Sequence, residues 1–304
     1  MTCVSQLLGC DFTSSPSRRK PVVVAVGTAP AGFFPKETGR SPWSPGHVQL
    51  QKLEHFETLE AFGTWLAATP TPWVGAFDLP FGLPRELVES LGWPSDWLAC
   101  QRHYASLGRD EIRATFAAFC AARPAGAKFA HRATDGPAGS SPSMKWVNPP
   151  VAFMMHAGVP LLLAADAHLP GLHEGDRGRV ALEAYPGLLA RQALSVAPGS
   201  PRSYKADDRA RQTPERLIAR RSILAVLESG ALPGLRAAGL RLRLTHAQRD
   251  ALADDASGDS LDAVLCLVQA AWAAQHQARG TGPAGGPGWG LPAFDALEGW
   301  IVGA

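Results

Sequence analysis

The chain has 304 residues, of which 46% are hydrophobic and 18% are charged. This hydrophobic content is enough to fill a substantial core, so a disordered chain is excluded. The formal net charge is only +2, which means that a polyanionic partner would have to be held by local basic patches. Five scattered cysteines without Cys-x-x-Cys spacing predict reduced thiols in a cytoplasmic protein.

The sequence does not favour a membrane protein. No signal peptide is expected, because the N-terminus lacks a basic segment followed by an apolar stretch and a cleavage site. The long apolar run from Val151 to Ala165 is interrupted by Gly158 and Pro160 and is shorter than the roughly 18 to 20 residues of a membrane span. It predicts a buried helix followed by a turn. The oligomeric state is left open.

The first part of the chain favours three antiparallel strands. The apolar run from Gln6 ends at a single acid, Asp11, and is followed by a polar turn and the β-branched segment Pro21 to Gly27. Residues 47–53 then alternate between apolar and polar with a period of two. From Thr58 to Ala68 the apolar spacing is helical, with Thr58 as the expected N-cap.

The next part predicts two further strands that are separated by helices. Residues 73–78 form an apolar segment that ends at Asp78, and Pro80 follows. Residues 85–178 contain amphipathic helical patterns between Gly-, Pro- and Ser-rich loops, which indicates a helical insertion or cap. Residues 179–186 then favour a fifth short strand with Glu183 near its end.

Two helices are predicted in the last third of the chain. Thr213-Pro214-Glu215 combines a hydroxyl cap, a proline in the first turn and an acid, and Gly230 is a natural stop. A strongly apolar helix begins near Asp259. Asp262 lies three residues further on, so both acids are expected on one face of that helix.

Acids thus recur at strand ends and in the first turn of a buried helix. Hard divalent cations prefer oxygen ligands, and a two-metal centre needs several carboxylates. Two carboxylates that lie about 4 Å apart repel each other by about 4 kcal/mol at an effective dielectric constant near 20, so cations or raised pKa values are required to hold them together. The pattern favours Mg²⁺ or Mn²⁺.

Each acid also has a structural interpretation. Asp11 could begin a turn, and Asp78 could accept hydrogen bonds from amides of the Pro80 turn. Glu183 could pair with an arginine, and Asp259 could cap its helix. Taken one at a time, these four acids favour the structural interpretation. Asp262 is harder to explain in this way, because a continuous apolar face follows it and a buried carboxylate there needs a partner.

The order of the predicted elements matches the ribonuclease-H-like fold, and the chain resembles the predicted RNase-H-like nucleases grouped as the domain of unknown function family 429. The resemblance covers nearly the whole chain and rests on five motifs, which are Gly9-Cys-Asp11, Phe77-Asp78-Leu-Pro-Phe-Gly-Leu-Pro84, Glu183-Ala-Tyr-Pro186, Asp259-Ser-Leu-Asp262-Ala263 and Glu298-Gly-Trp-Ile301. It implies an α/β fold with a mixed five-stranded sheet flanked by helices. Residues 1–304 would form one domain, with the helical insertion 85–178 between strands four and five.

The resemblance also implies a function. A two-metal Mg²⁺ or Mn²⁺ centre formed by Asp11, Asp78, Glu183 and Asp262, with Asp259 as an alternate ligand, would hydrolyse phosphodiester bonds in a nucleic acid or a nucleotide. Basic side chains after residue 200 could neutralise phosphates or could simply form a solvated helix face. They are Lys205, Arg216, Arg220 and Arg221.

Two other functions stay open. A catalytically silent nucleic-acid-binding or scaffold module would keep the same fold. An actin-like nucleotide-binding phosphotransferase is a weaker alternative, since residues 11–15 resemble a phosphate loop after a first strand but no second such loop is found. In the insertion, the polar cluster of residues 131–135 could approach the substrate, although a role in shaping its loop is favoured. The sequence does not distinguish DNA, RNA and small nucleotides.

Overall fold

A computed structural model describes residues 6–29, 46–197, 199, 203–206 and 208–304. These residues form seven strands, eleven α-helices and a short 3-10 helix at Arg209–Arg211. The strands are β1 (Gln6–Asp11), β2 (Val22–Thr28), β3 (Gly46–Phe56), β4 (Trp73–Phe77), β5 (Ala167–His168), β6 (Asp176–Glu183) and β7 (Leu240–Arg243). The helices are α1 (Leu59–Ala68), α2 (Arg85–Ser90), α3 (Trp97–Ser106), α4 (Arg109–Ala121), α5 (Asp135–Ala138), α6 (Val151–Ala164), α7 (Pro186–Val196), α8 (Pro214–Ser229), α9 (Pro233–Ala238), α10 (His246–Asp254) and α11 (Asp259–Arg279).

All seven strands belong to one mixed sheet in the order β5-β6-β4-β1-β2-β3-β7. The first three strands are antiparallel neighbours, which confirms the predicted meander. On the other side of β1, β4 is parallel to β1 and β6 is parallel to β4. The carboxyl ends of these three parallel strands therefore meet at one edge of the sheet.

The prediction of a five-stranded sheet is wrong, because a short strand is added at each edge. β5 lies within the predicted insertion and has only two residues, and β7 has four residues inside a basic stretch. Segments this short carry too little alternation to be recognised as strands. Within residues 85–178, the last helix ends at Ala164, and β5 and the start of β6 follow it.

Local sequence signals account for several helix boundaries. Thr58 caps α1, because its hydroxyl accepts a hydrogen bond from the amide of Ala61 at 3.1 Å. Gly230 ends α8 in the left-handed conformation, as predicted. The apolar run after Pro150 forms α6, which passes through Pro160. No helix in the described part of the chain is long and apolar enough to cross a membrane.

The sheet is covered on both faces, and alternate strand residues point to opposite cores. One core contains Leu7, Val74 and Leu182 together with residues of α7 to α11. The other contains Leu8, Phe77 and Ala181 together with α1 and the helices of the insertion. The insertion therefore shares a core with the sheet.

α11 packs very closely on the centre of the sheet. A Cβ atom at Gly9 in β1 would lie 2.0 Å from the backbone nitrogen of Leu267 and 2.2 Å from the carbonyl oxygen of Ala263. A side chain at this position is thus incompatible with the observed helix position. This contact brings the first turn of α11, with its two acids, to the end of β1.

Candidate functional site

The site begins with two acids at the ends of adjacent parallel strands. Cys10 of β1 is in register with Phe77 of β4, and the amide of Asp78 donates a hydrogen bond to the carbonyl of Cys10 at 2.9 Å. Asp11 and Asp78 directly follow this pair, so they lie at the ends of neighbouring parallel strands. By the alternation of the strands, both side chains belong to the face that α11 covers.

These two acids open into a cavity of about 630 Å³ at the carboxyl edge of the sheet. Loops of the insertion also line it, through residues that include Ser140, Ser141 and Asn148. The charged residues among the described lining are Asp11, Lys20, Asp78, Arg132, Glu183, Lys205 and Asp259. A cavity of this size suits a small ligand or a short segment of a polymer.

The carboxylates of Asp11 and Asp78 have no hydrogen-bond donor among the described residues, although Asp11 is only 9% exposed. Burial raises the pKa of Asp11 well above its ordinary value, the charge of Asp262 raises it further, and Lys205 opposes both effects. Burial, followed by the charge of Asp262, raises the pKa of Asp78 to about 7. These two acids therefore hold negative charge poorly unless a cation joins them.

Glu183 is bound by an arginine of the insertion. Its Oε1 and Oε2 atoms accept hydrogen bonds from Arg132 at 2.7 and 2.8 Å, and Oε2 also accepts one from the amide of Phe81 at 2.9 Å. Arg132 contacts Asp135 as well, and all three charged side chains are buried. Burial raises the pKa of Glu183, while Arg132 opposes that rise.

Asp262 is also occupied by groups of the protein itself. It is 0% exposed, its Oδ1 accepts a hydrogen bond from the hydroxyl of Tyr204 at 2.5 Å, and its Oδ2 forms an ion pair with the ammonium of Lys205. This agrees with the expectation that a carboxylate at this buried position requires a partner.

Asp259 lies at the cavity next to Lys20. The two charged groups are 3.8 Å apart, and burial raises the pKa of Asp259 while Lys20 lowers it. Asp259 does not cap α11. The N-cap residue of α11 is Gly258, and the carboxylate of Asp255 accepts hydrogen bonds from the amides of Ser257, Gly258 and Ser260, the last of which lies in the first turn of α11.

The three arginines predicted as phosphate ligands lie on α8, and no residue of α8 is among the described residues that line the cavity. Arg220 is buried and donates hydrogen bonds to the carbonyls of Tyr204 and Ala253 at 2.7 and 2.6 Å. Arg216 is partly buried and Arg221 is exposed. Of the four predicted basic residues, only Lys205 forms a described ion pair with one of the predicted acids, Asp262.

The fit of a metal ion differs between the predicted ligands. In the described part of the chain, no group of three or more His, Cys, Asp or Glu side chains is arranged to hold an ion. Asp11 and Asp78 are adjacent, line the cavity and accept no hydrogen bond from a described residue, which suits a divalent cation with further water ligands. Glu183 and Asp262 instead bind positive side chains of the protein.

Sequence reasoning missed two contributors to the site. Arg132 was assigned mainly to shaping its loop, and its polar neighbours gave no indication of a contact with Glu183, 51 residues away. Tyr204 was not identified at all, since a lone tyrosine carries no recognisable pattern. Tyr204 could be identified only from the tertiary structure, which places residues 203–206 beside α11.

The class defined by these observations is a mixed α/β protein with a seven-stranded sheet and an acidic cavity at the carboxyl edge of its parallel strands. Residues 18–284 match the model of the family described as Protein of unknown function (DUF429), and the chain belongs to that family. No curated protein and no solved structure matches the chain.

Proposed function

We propose that this protein is a divalent-cation-dependent phosphodiesterase of RNase-H-like fold that acts on a nucleic acid or a nucleotide. The observation that carries the proposal is the pair Asp11 and Asp78, adjacent acids that line the cavity and have no described hydrogen-bond donors, of which Asp11 is buried and Asp78 is half-buried. The five central strands support the fold assignment, since an antiparallel meander is followed by two strands parallel to β1.

The residues of the chain have distinct tasks in this proposal. Asp11 and Asp78 would hold Mg²⁺ or Mn²⁺, which when bound lowers the pKa of a water nucleophile and stabilises charge on a leaving oxygen. Lys20 and Lys205 lie at the same cavity and supply positive charge for a phosphate. Loops of the insertion, including Ser140 and Asn148, line the same cavity and could contact the substrate.

The first prediction concerns the two adjacent acids. We expect Asp11→Asn and Asp78→Asn each to weaken Mn²⁺ binding by at least about tenfold and to abolish cleavage of labelled DNA or RNA, because each removes a charged ligand. Isothermal titration calorimetry and a cleavage assay across single- and double-stranded substrates measure the two effects. Both variants should remain folded in EDTA, since they relieve repulsion within the cluster.

Asp110→Asn is the matched control, because this carboxylate is 96% exposed and pairs only with Arg113 among the described residues. It should leave Mn²⁺ binding and cleavage unchanged. Normal Mn²⁺ affinity in both Asp11→Asn and Asp78→Asn would remove the basis of the proposal.

A second candidate is a catalytically silent nucleic-acid-binding module of the same fold. It is favoured by the observation that Glu183 and Asp262 are already bound by Arg132 and Lys205. The same assays separate the candidates, because a silent module would bind nucleic acid without cleaving it in either Mg²⁺ or Mn²⁺.

A further inference from the structure

Lys205 lies among the acids of the candidate centre. Its ammonium forms an ion pair with Asp262, and its charge opposes the raised pKa values of Asp11, Asp78 and Asp259. Its side chain is nevertheless 43% exposed and lines the cavity. One ammonium thus faces both the buried acid and the space available to a substrate.

Three hydrogen bonds, two of them to backbone groups of the segment, hold the residues next to Lys205. Arg220 donates a hydrogen bond to the carbonyl of Tyr204 at 2.7 Å, and the amide of Ala206 donates one to the carbonyl of Ala256 at 3.2 Å. The hydroxyl of Tyr204 binds Asp262. These contacts place the ammonium before any ligand binds, unlike that of a freely rotating surface lysine.

The aliphatic part of Lys205 is also positioned. It lies against Gly258, the residue before α11, where an added Cβ would be 2.8 Å from the Cβ of Lys205. Gly258 has a φ of 79°, which already favours glycine. The positive φ and the lack of room for a Cβ atom both require glycine at position 258. The side chain of Lys205 therefore packs across the start of α11.

The acids next to Lys205 leave little room for a second metal ion. One oxygen of Asp262 accepts the hydrogen bond of Tyr204 and the other contacts Lys205. Both oxygens of Glu183 are bound by Arg132. Among the described residues, Asp11, Asp78 and Asp259 line the cavity with carboxylates that accept no hydrogen bond, but Asp259 has the ammonium of Lys20 at 3.8 Å, whereas Asp11 and Asp78 form no described ion pair.

We propose that Lys205 takes the place of a second divalent cation, so that the centre binds one Mg²⁺ or Mn²⁺ at Asp11 and Asp78 and uses a fixed ammonium beside Asp262. This inference rests on the proposed function and specifies its metal stoichiometry. An ammonium is a compact charge with three donors, so it can contact Asp262 and a phosphate oxygen together. Its charge would stabilise the negative oxygens of the transition state.

The stoichiometry of Mn²⁺ binding tests this inference directly. We expect the wild-type protein to bind one Mn²⁺ by isothermal titration calorimetry and by electron paramagnetic resonance, and Lys205→Met to bind two. Removing one positive charge at contact distance should strengthen the second site by at least about a hundredfold at an effective dielectric constant near 20. Adding Asp262→Asn to Lys205→Met should return the stoichiometry to one.

Lys52→Met is the matched control, because it also removes a lysine that is paired with an acid, Glu54, but Lys52 is not among the described residues that line the cavity and its loss should leave the stoichiometry at one. If Lys205→Met does not fold, Lys205→Gln replaces it, because it also removes the positive charge but keeps a hydrogen-bond donor beside Asp262, and it should likewise bind two Mn²⁺. Two ions in the wild-type protein, or one ion in folded Lys205→Met, would overturn the role of Lys205 and leave the phosphodiesterase proposal intact. No Mn²⁺ binding by any of these proteins would overturn both.

Discussion

At the scale of single residues, Asp78 is expected to make the stability of the protein depend on pH. Its pKa in the folded protein is raised to about 7, because of burial and the charge of Asp262, whereas the ordinary value is 3.8. When the pKa of an acid is higher in the folded than in the unfolded protein, its protonation stabilises the fold. This stabilisation is complete below the pKa of the unfolded protein and is lost as the pH rises through the pKa of the folded protein. In EDTA we therefore expect Asp78 to reduce the free energy of unfolding between about pH 4 and pH 7, by up to about 1.4 kcal/mol per pH unit.

The comparison with Asp78→Asn isolates this carboxyl from other titrating groups. Urea denaturation across that pH range should show a smaller decline for the variant than for the wild-type protein. Mn²⁺ should bind more tightly as the pH rises towards 7, because fewer protons then compete for Asp78. Parallel stability curves for the two proteins would show that Asp78 titrates normally.

Glu183 is expected to contribute to stability through its contact with the insertion. Arg132→Leu leaves Glu183 and Asp135 buried without their shared cation, so the free energy of unfolding should fall by about 3 to 5 kcal/mol. Arg113→Leu provides a control, since its pair with Asp110 is exposed and should change stability by less than about 1 kcal/mol. Urea denaturation measures both effects.

Glu183→Gln separates this structural role from metal binding. The variant should lose stability but keep the Mn²⁺ affinity of the wild-type protein, because Arg132 occupies both carboxylate oxygens. A stable variant that no longer binds Mn²⁺ would instead identify Glu183 as a ligand.

At the scale of secondary-structure elements, the crossing of α11 over β1 sets the position of the acids. Gly9→Ala should lower the free energy of unfolding by about 3 kcal/mol or more, because the added Cβ meets backbone atoms of α11 that have no room to move. Gly136→Ala is the matched control, as a Cβ there meets nothing within 4 Å and stability should change by less than about 0.5 kcal/mol. A small effect of Gly9→Ala on the urea midpoint would contradict the observed closeness of the two elements.

Strand register explains why similar strand-end acids have different surroundings. Asp78 follows the register pair Cys10 and Phe77, whereas Glu183 is itself in register with Phe77. Because alternate residues point to opposite faces, Glu183 is directed to the side that the insertion covers. The sequence shows an acid at or near the end of β1, β4 and β6. A shift of one residue in the register of a strand determines which face of the sheet its acid points to.

At the scale of the whole molecule, the insertion and the sheet are expected to unfold together. They share the core that contains Phe77 and Phe116, and Phe116 is 0% exposed. Phe116→Ala in α4 should therefore lower the stability of the entire protein by about 3 to 5 kcal/mol. Circular dichroism and tryptophan fluorescence should report coincident thermal transitions that shift together.

Glu111→Ala, on the exposed face of the same helix, should leave both transitions in place. Two separate transitions, with only one of them shifted by Phe116→Ala, would show that the insertion folds on its own and would contradict the prediction of a single domain.

The sequence by itself determined the five central strands, several helix boundaries and the positions of the acids at strand ends and in the first turn of α11. These features depend on residues that are close in the chain, through apolar periodicity, capping and turn formation. Only the tertiary structure decided the two short edge strands, the direction of Glu183 and the partners of the acids. Arg132 and Glu183 are 51 residues apart, and Lys205 and Asp262 are 57 apart, so no local pattern records either ion pair. Burial and charge at the candidate centre arise from such distant contacts, and these contacts distinguish Asp11 and Asp78 from acids that already have a cation.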